Sequence, residues 1–589
     1  MKNDNLKFKN LSRRSGILKF CILIFIFLIL SNVALADTQG QNQIFNINDG
    51  FDKFNRKSMS ATLRYVSGTA YFYVDDNYWN SANSLERQDL LSGISRLASE
   101  FDAKIYPTET SFWGQEAKPG IDGDDRITIL LEQLKPGHGG YFSTANGYSK
   151  KSVPDSNERE MLVVDVESAA GSFVKIFLTH EFQHLVSLNQ KELLRNTEED
   201  VWLNELRAEY STTLLGYNNP FSNSNLERRA ETFFSAPSDS LTEWPNVSLD
   251  YSLVALFGEY IAEKLGSNFL RETLQTNLSG IASFNSVLAN RGNGEKFIDI
   301  FAGWLIASYI NNESINSKFG FSKPDLKKYK ATPQRLTILS PSGSNVFDYY
   351  LKPWQVYGHK ILAGGSLSGG PDAESIVDPR FSNPDYNQGE NRDKTIKLSP
   401  SFNSRFAYAD NLGRFSIIDR NFYVNDPSDG LEYFFIFPIN DKKTSDFGKE
   451  ENESFLTLAV SLEEKVLGVD FGSELKNGTL VKKSVENEIY VIEGKYKRYL
   501  RPEIISLYGH LDASKAIAVD DTTFYSYTTA NYVRYADDEK VYAVWPDGTK
   551  HWLNITPQQW DASGRDWGAI FVINDLELNT YKIGADIVK

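Results

Sequence analysis

The stretch Thr179-His180-Glu181-Phe182-Gln183-His184-Leu185 carries the residue types of a hydrolytic metal site. Imidazoles at i and i+4 of a helix lie one turn apart on one face, so His180 and His184 can reach a single Zn2+ while Glu181 addresses the attacking water. The apolar neighbours Ile176, Phe177, Leu178, Leu185 and Val186 give that helix a side to bury. The same spacing also arises by chance in helices that bind nothing, so a third ligand decides its weight. Glu205, on the segment Trp202–Tyr210, lies far enough after His184 for a turn through residues 189–197 and a returning helix. Two histidines, one glutamate and an open fourth position make a catalytic zinc site. Glu209, one turn beyond Glu205, can accept the outer N–H of His180 and fix its tautomer; a solvated acidic helix face is the plain alternative.

Charge developing on a peptide carbonyl oxygen needs a hydrogen-bond donor besides the metal. Tyr251 is the first candidate and Tyr210 the second, against the ordinary packing role of tyrosines in a chain that holds 30 of them. Asp122, Asp124 and Asp125 around Gly123 offer oxygen ligands to Ca2+, but the twelve-residue calcium-loop pattern is absent and an Asp/Gly turn is the simpler reading. Gly137-His138-Gly139-Gly140 can line a cleft beside an edge strand; its composition favours a mobile turn. The loop 218–246, rich in Asn, Ser and Pro, either flanks the cleft or is plain surface.

These residues need elements to hold them. Residues 61–75 alternate apolar and polar side chains and read as strands, followed by a helix over 80–101 and short apolar strands at 127–131 and 161–165. From 172 to 310 the spacing turns helical, with helices expected over 172–189, 198–215, 251–265, 269–276 and 295–310. Strands followed by a block of helices predict an α+β domain over 37–325. Residues 326–500 carry short β-type runs separated by turn residues, a sandwich-like accessory region with a long exposed insertion at 364–391. A boundary near Arg501-Pro502, after the charged run 493–498, sets off a Trp-rich module over 501–589, in which Pro546-Asp547-Gly548 predicts a hairpin between 540–545 and 549–553. Exposed aromatics there can contact the cell envelope, although tryptophans in so small a unit are more often core.

Taken in order, Asp122-Gly-Asp-Asp-Arg-Ile-Thr-Ile-Leu, Gly140-Tyr-Phe, Ser156-Asn-Glu-Arg-Glu-Met-Leu, the two-histidine motif, Trp202-Leu-Asn-Glu205-x-x-Ala208-Glu209, Ser240-Leu-Thr-Glu-Trp244 and Asp250-Tyr251 form a pattern. Over about residues 60–320 it resembles the hyicolysin-like secreted bacterial metalloproteases, within the thermolysin-type, glutamate-zincin group. The resemblance implies a zincin-like catalytic domain and zinc-dependent endopeptidase activity on protein or peptide substrates. It also implies His180, His184 and Glu205 as ligands, with Glu181 as general base. The chain departs from the pattern at Leu206-Arg207, where the family commonly has a small residue.

Composition narrows the partners. Lysines and arginines between Lys2 and Lys19, the apolar run 20–30 and Ala34-Leu35-Ala36 make a secretory signal cut after Ala36. Residues 1–36 hold six basic residues and one acidic residue, so the cut takes the formal charge from −15 to −20 and removes Cys21, the single cysteine. Such an acidic chain is repelled by phosphate backbones, which excludes nucleic acid as a partner, and without cysteines it has no disulfide scaffold. The expectation is a secreted or envelope-associated monomer. Its rivals are an envelope adhesion protein with a structural zinc site and a metal-dependent hydrolase of cell-wall amides.

Overall fold

The computed structural model describes residues 36–589 except 293, 340–343, 363–393, 402–403, 425–430, 443–452, 465–474, 476, 484–487, 520–522, 525–526, 536–537, 546, 563–564 and 589. Residues 1–35 of the expected signal 1–36 and the expected insertion 364–391 therefore lie outside the described residues.

Contacts divide the chain into two units. The first runs to Leu336 and takes in Tyr350–Lys360 and Phe435–Ser454; the second holds Thr337–Tyr349, Ile361–Phe434 and Phe455–Lys589.

The first unit is built on a mixed sheet of β1 (Asn42–Asn46), β2 (Ser58–Val66), β3 (Ala70–Asp75), β4 (Ile127–Glu132), β5 (Gly140–Phe142) and β6 (Met161–Asp165), in the order β1-β2-β3-β4-β6-β5. β3, β4 and β6 run parallel, with Leu130 opposite Tyr73 and Val163, while β5 lies antiparallel on the edge, Tyr141 opposite Val163. Every residue of β3, β4 and β6 is buried, as expected of parallel strands covered on both faces.

The helices are α1 (Asp76–Ser81), α2 (Ser84–Glu100), α3 (Tyr106–Trp113), α4 (Val174–Ser187), α5 (Val201–Leu214), α6 (Asn225–Ser235), α7 (Ser248–Leu265), α8 (Asn268–Leu274), α9 (Gly280–Arg291) and α10 (Phe297–Tyr309). The expected strands and helices are present, with end shifts of a few residues. The elements β1, α1, α3, β5, α6 and α9 were not expected. Of these, α6 lies inside the segment read as loop: the Ser224 hydroxyl accepts from the Glu227 amide at 3.1 Å, and Leu226, Ala230 and Phe233 make its buried face. The 137–140 stretch is also more than a turn, because Gly140 opens β5.

The first unit is not one continuous run of sequence, as the expected boundaries 37–325 had it. Trp354 packs its ring 4.7 Å from Phe297 and 5.3 Å from Phe301, and its backbone binds Leu241 and Asn440.

The second unit is β-rich. Strands 422–424, 394–400, 454–464 and 344–351 form one sheet in that order. Farther on, Leu480–Lys483, Ile489–Glu493 and Tyr496–Leu500 pair with Ile517–Val519 and Thr528–Thr529, so strand pairing crosses the boundary expected at 500/501. The charged run ahead of that boundary turns at Gly494, whose φ of 51° favours glycine, and then enters a strand. There Arg498, 3% exposed, pairs with Glu577 at 2.6 Å. The expected hairpin is present as Tyr542–Val544 against Thr549–Trp552, with Ala543 opposite His551.

Candidate metal centre

α4 begins one short loop after β6 and packs against β5 and β6. Its sequence sets its orientation. Val174, Leu178, Phe182 and Leu185 recur at helical spacing and are all buried, which turns His180, Glu181 and His184 toward β5. Gly140 permits the close approach there, since a Cβ at that position would lie 2.7 Å from the Val163 carbonyl oxygen and 3.1 Å from the Glu181 side chain. Phe142, at the other end of β5, stacks on His184 with ring centroids 6.4 Å apart.

α5 returns alongside α4 and brings Glu205 to the two imidazoles. The Nε2 atoms of His180 and His184 are 3.2 Å apart, and a Glu205 Oε2 lies 3.0 Å from the first and 3.6 Å from the second. One ligand atom from each of the three residues falls within 4.8 Å of the others. With each neutral imidazole carrying its proton on Nδ1, the two Nε2 atoms and the Glu205 oxygen that faces both present three electron pairs to one point. This donor set fits a divalent zinc ion.

The electrostatics follow from burial and proximity. Burial pulls the His180 imidazolium down, but Glu205, Glu181 and Glu209 around it prevail and raise it to about 9. Burial pushes Glu205 up, and the imidazoles of His184 and His180 more than offset it, holding its carboxyl well below the usual carboxylate range. Burial raises Glu181 above its ordinary value despite both imidazoles.

Glu209 sits behind the ligands on α5, one Oε1 3.6 Å from His180 Nδ1, wider than a hydrogen bond. It is no solvated face: 5% exposed, it accepts from Arg229 at 2.6 and 3.0 Å and from Asn225 Nδ2 at 2.9 Å. Burial raises its carboxyl, and Arg229 and His180 bring it below the ordinary value. Arg229 and Asn225 both come from α6 and were missed with that helix; the Ser224 cap and the spacing of Leu226, Ala230 and Phe233 are the signals that identify it.

Tyr251 on α7 stands beside the site, its ring centroid 6.2 Å from that of His180. Its hydroxyl donates to Asn246 Oδ1 at 2.8 Å, its ring packs on Trp244 at 5.1 Å, and the Arg229 guanidinium lies 4.9 Å from it. Burial and the surrounding carboxylates raise its phenol. Burial and the Glu259 charge raise the phenol of Tyr210, the second candidate. The arginine at the family's small-residue position is accommodated: Arg207 is fully buried and donates to Glu199 at 2.8 Å and to Thr273 at 3.0 Å.

The acidic turn makes no comparable site. Asp122 Oδ1 accepts from the Asp124 amide, Asp124 from the Arg126 amide and the Tyr71 hydroxyl, and these carboxylates serve the turn and β3. Among the described residues, His180, His184 and Glu205 are the group whose ligand atoms converge.

No family model matches the chain. Among curated proteins it is similar to the neutral metalloprotease ShpI of Staphylococcus hyicus, at 28% identity over 320 residues that cover 49% of this chain and 68% of that protein. The similarity supports metalloprotease chemistry for this chain at that level. Among the described residues, no helix is long and apolar enough to cross a membrane.

Proposed function

We propose that the chain is an exported zinc-dependent metalloendopeptidase of the glutamate-zincin type, acting on peptide bonds in proteins. The observation that carries the reading is the convergence of His180 Nε2, His184 Nε2 and the Glu205 carboxylate within 4.8 Å, with Glu181 next to a ligand in sequence and against the edge strand β5.

His180, His184 and Glu205 would hold the ion. Zinc bound there would supply Lewis acidity toward the scissile carbonyl and make water a stronger acid. Glu181 takes the proton from the attacking water and returns it to the leaving amine nitrogen; its raised proton affinity, caused by burial, suits both transfers. Glu209 orients His180, and Arg229 holds Glu209 ionised for that purpose. Tyr251 donates its hydroxyl proton to the developing oxyanion after giving up Asn246. The unpaired side of β5 offers backbone groups to an extended substrate. Export through residues 1–36 and envelope contact by the Trp-rich end belong to the same reading.

Casein or gelatin digestion by purified protein, with and without chelator and beside Glu181→Gln, tests it. Chelator-sensitive cleavage that Glu181→Gln lacks is expected. Stoichiometric zinc in a wild type as inert as Glu181→Gln would favour a binding protein. Cleavage of peptidoglycan but not of protein would favour the amide hydrolase.

A further inference from the structure

Asp37 is the first residue after the expected signal cut, and it is held on every side. Its carboxylate accepts from Tyr73 at 2.8 Å, from Gln41 at 2.7 Å and from Arg159 at 2.5 Å, and its side chain is 7% exposed. Its backbone nitrogen donates to the Tyr71 hydroxyl at 3.2 Å, and that hydroxyl donates to Asp124 Oδ2 at 2.7 Å. Tyr71 and Tyr73 are rooted in β3 and are 1% and 0% exposed. Ala36, one residue earlier, is exposed.

The niche holds more carboxylates than cations in contact with them. Asp37, Asp122 and Asp124 meet there with Arg159, while Arg126 lies 5.6 Å from the Tyr71 ring. Burial raises Asp122 above its ordinary value, and the neighbouring Asp124 and Asp37 charges add to it in spite of Arg159. A cation at the Asp37 nitrogen would relieve this.

We propose that signal cleavage between Ala36 and Asp37 creates that cation, and that the new α-ammonium of Asp37 is held by the Tyr71 hydroxyl, itself fixed by the Asp124 carboxylate, as an internal ligand of the first unit. Cleavage hydrolyses one amide: water adds its hydroxyl to the Ala36 carbonyl carbon, and the released amine takes a proton. The site is specific in register. The Gly40 amide donates to the Leu63 carbonyl, the Leu63 amide donates to the Gln41 carbonyl, and β1 follows directly, so a terminus two residues earlier would carry its charge roughly 7 Å farther out. Removal of residues 37–75 as a propeptide is incompatible with this arrangement, because they supply β1, β2 and β3.

The sign of the pH effect is fixed by the groups facing the nitrogen: the carboxylates of Asp37, Asp122 and Asp124, the phenols of Tyr71 and Tyr73, and the guanidiniums of Arg159 and Arg126. An unfolded α-amine titrates at about 8, and the Asp124 charge beyond the Tyr71 hydroxyl raises the folded one. The stabilisation is full below pH 8 and is lost as pH rises through the folded value.

The test compares full-length exported protein, its start verified by intact mass, with a form carrying Leu35-Ala36 ahead of Asp37. At pH 7 the Asp37-start form should melt about 3 °C higher, with the gap closing by about pH 10. Its α-amine should acylate at least about tenfold more slowly at pH 7 than that of the longer form, and Tyr71→Phe and Asp124→Asn should each abolish both differences. A mature mass beginning at another residue, equal melting of the two forms across the pH range, or equal acylation rates would each overturn the proposal.

Discussion

Arg229 and Glu209 form a two-pronged ion pair, Nη2 to Oε1 at 2.6 Å and Nε to Oε2 at 3.0 Å, directly behind His180. Neither residue is a ligand, yet the pair joins α6 to the metal helix and sets the charge that His180 Nδ1 faces. Arg229→Met should therefore weaken zinc binding by about 10- to 100-fold and leave Glu209 buried without its main counter-charge. Competition with a chromophoric chelator measures the first effect. Wild-type zinc affinity in this variant would remove Arg229 from the site.

Glu181→Gln separates binding from chemistry. The amide keeps the shape and cannot take a proton, so activity should fall at least about a thousandfold while zinc content stays near one per chain. Metal analysis alongside a peptide assay decides it, and loss of zinc in this variant would mean that Glu181 is needed to hold the metal.

Removing a ligand should act through folding as well as through activity. His184 is 7% exposed and lies between β5 and α5. His184→Ala or exhaustive chelation should abolish activity and lower the melting temperature of the first unit by several degrees, because a tightly bound ion stabilises only the folded state. Thermal melts at varied free zinc check this: the wild type should respond and His184→Ala should not.

Glu132, at the end of β4, sets a second pH dependence away from the metal. Burial raises its carboxyl to about 8, against the hydrogen bond from Tyr141 at 2.9 Å and with help from the Asp52 charge. The folded state thus keeps a proton that the unfolded state loses near pH 4.5, and stability falls as pH rises from about 4.5 to 8. Glu132→Gln removes the titration. It should match the wild type near pH 4.5 and exceed it above pH 8 by on the order of 2–4 kcal/mol, measured by denaturant unfolding.

What the sequence made legible was local. His180 and His184 share a face because of helical period alone, and Glu209 follows Glu205 by one turn, so both pairs could be placed before any contact was known. The missed pieces depend on distant partners. β5 is three residues long and Gly-led, and exists as a strand because β6 offers an edge. α6 was hidden by the Asn- and Ser-rich residues before it, and its Arg229 acts across 20 positions on Glu209. The charged run near Arg498 gave no sign of a buried ion pair because its partner, Glu577, comes 79 positions later.

That last interval fixes an order in time. A chain synthesised from its amino end presents Arg498 well before Glu577, and the strand Lys582–Ile583 that pairs with Thr549–Trp552 follows later still. Until those final residues appear, a guanidinium destined for the interior has no counter-ion, and burying it alone is strongly unfavourable. The strand Tyr496–Leu500 and the helix that carries Glu577 therefore close together or not at all, because each holds half of a buried ion pair that neither can complete alone.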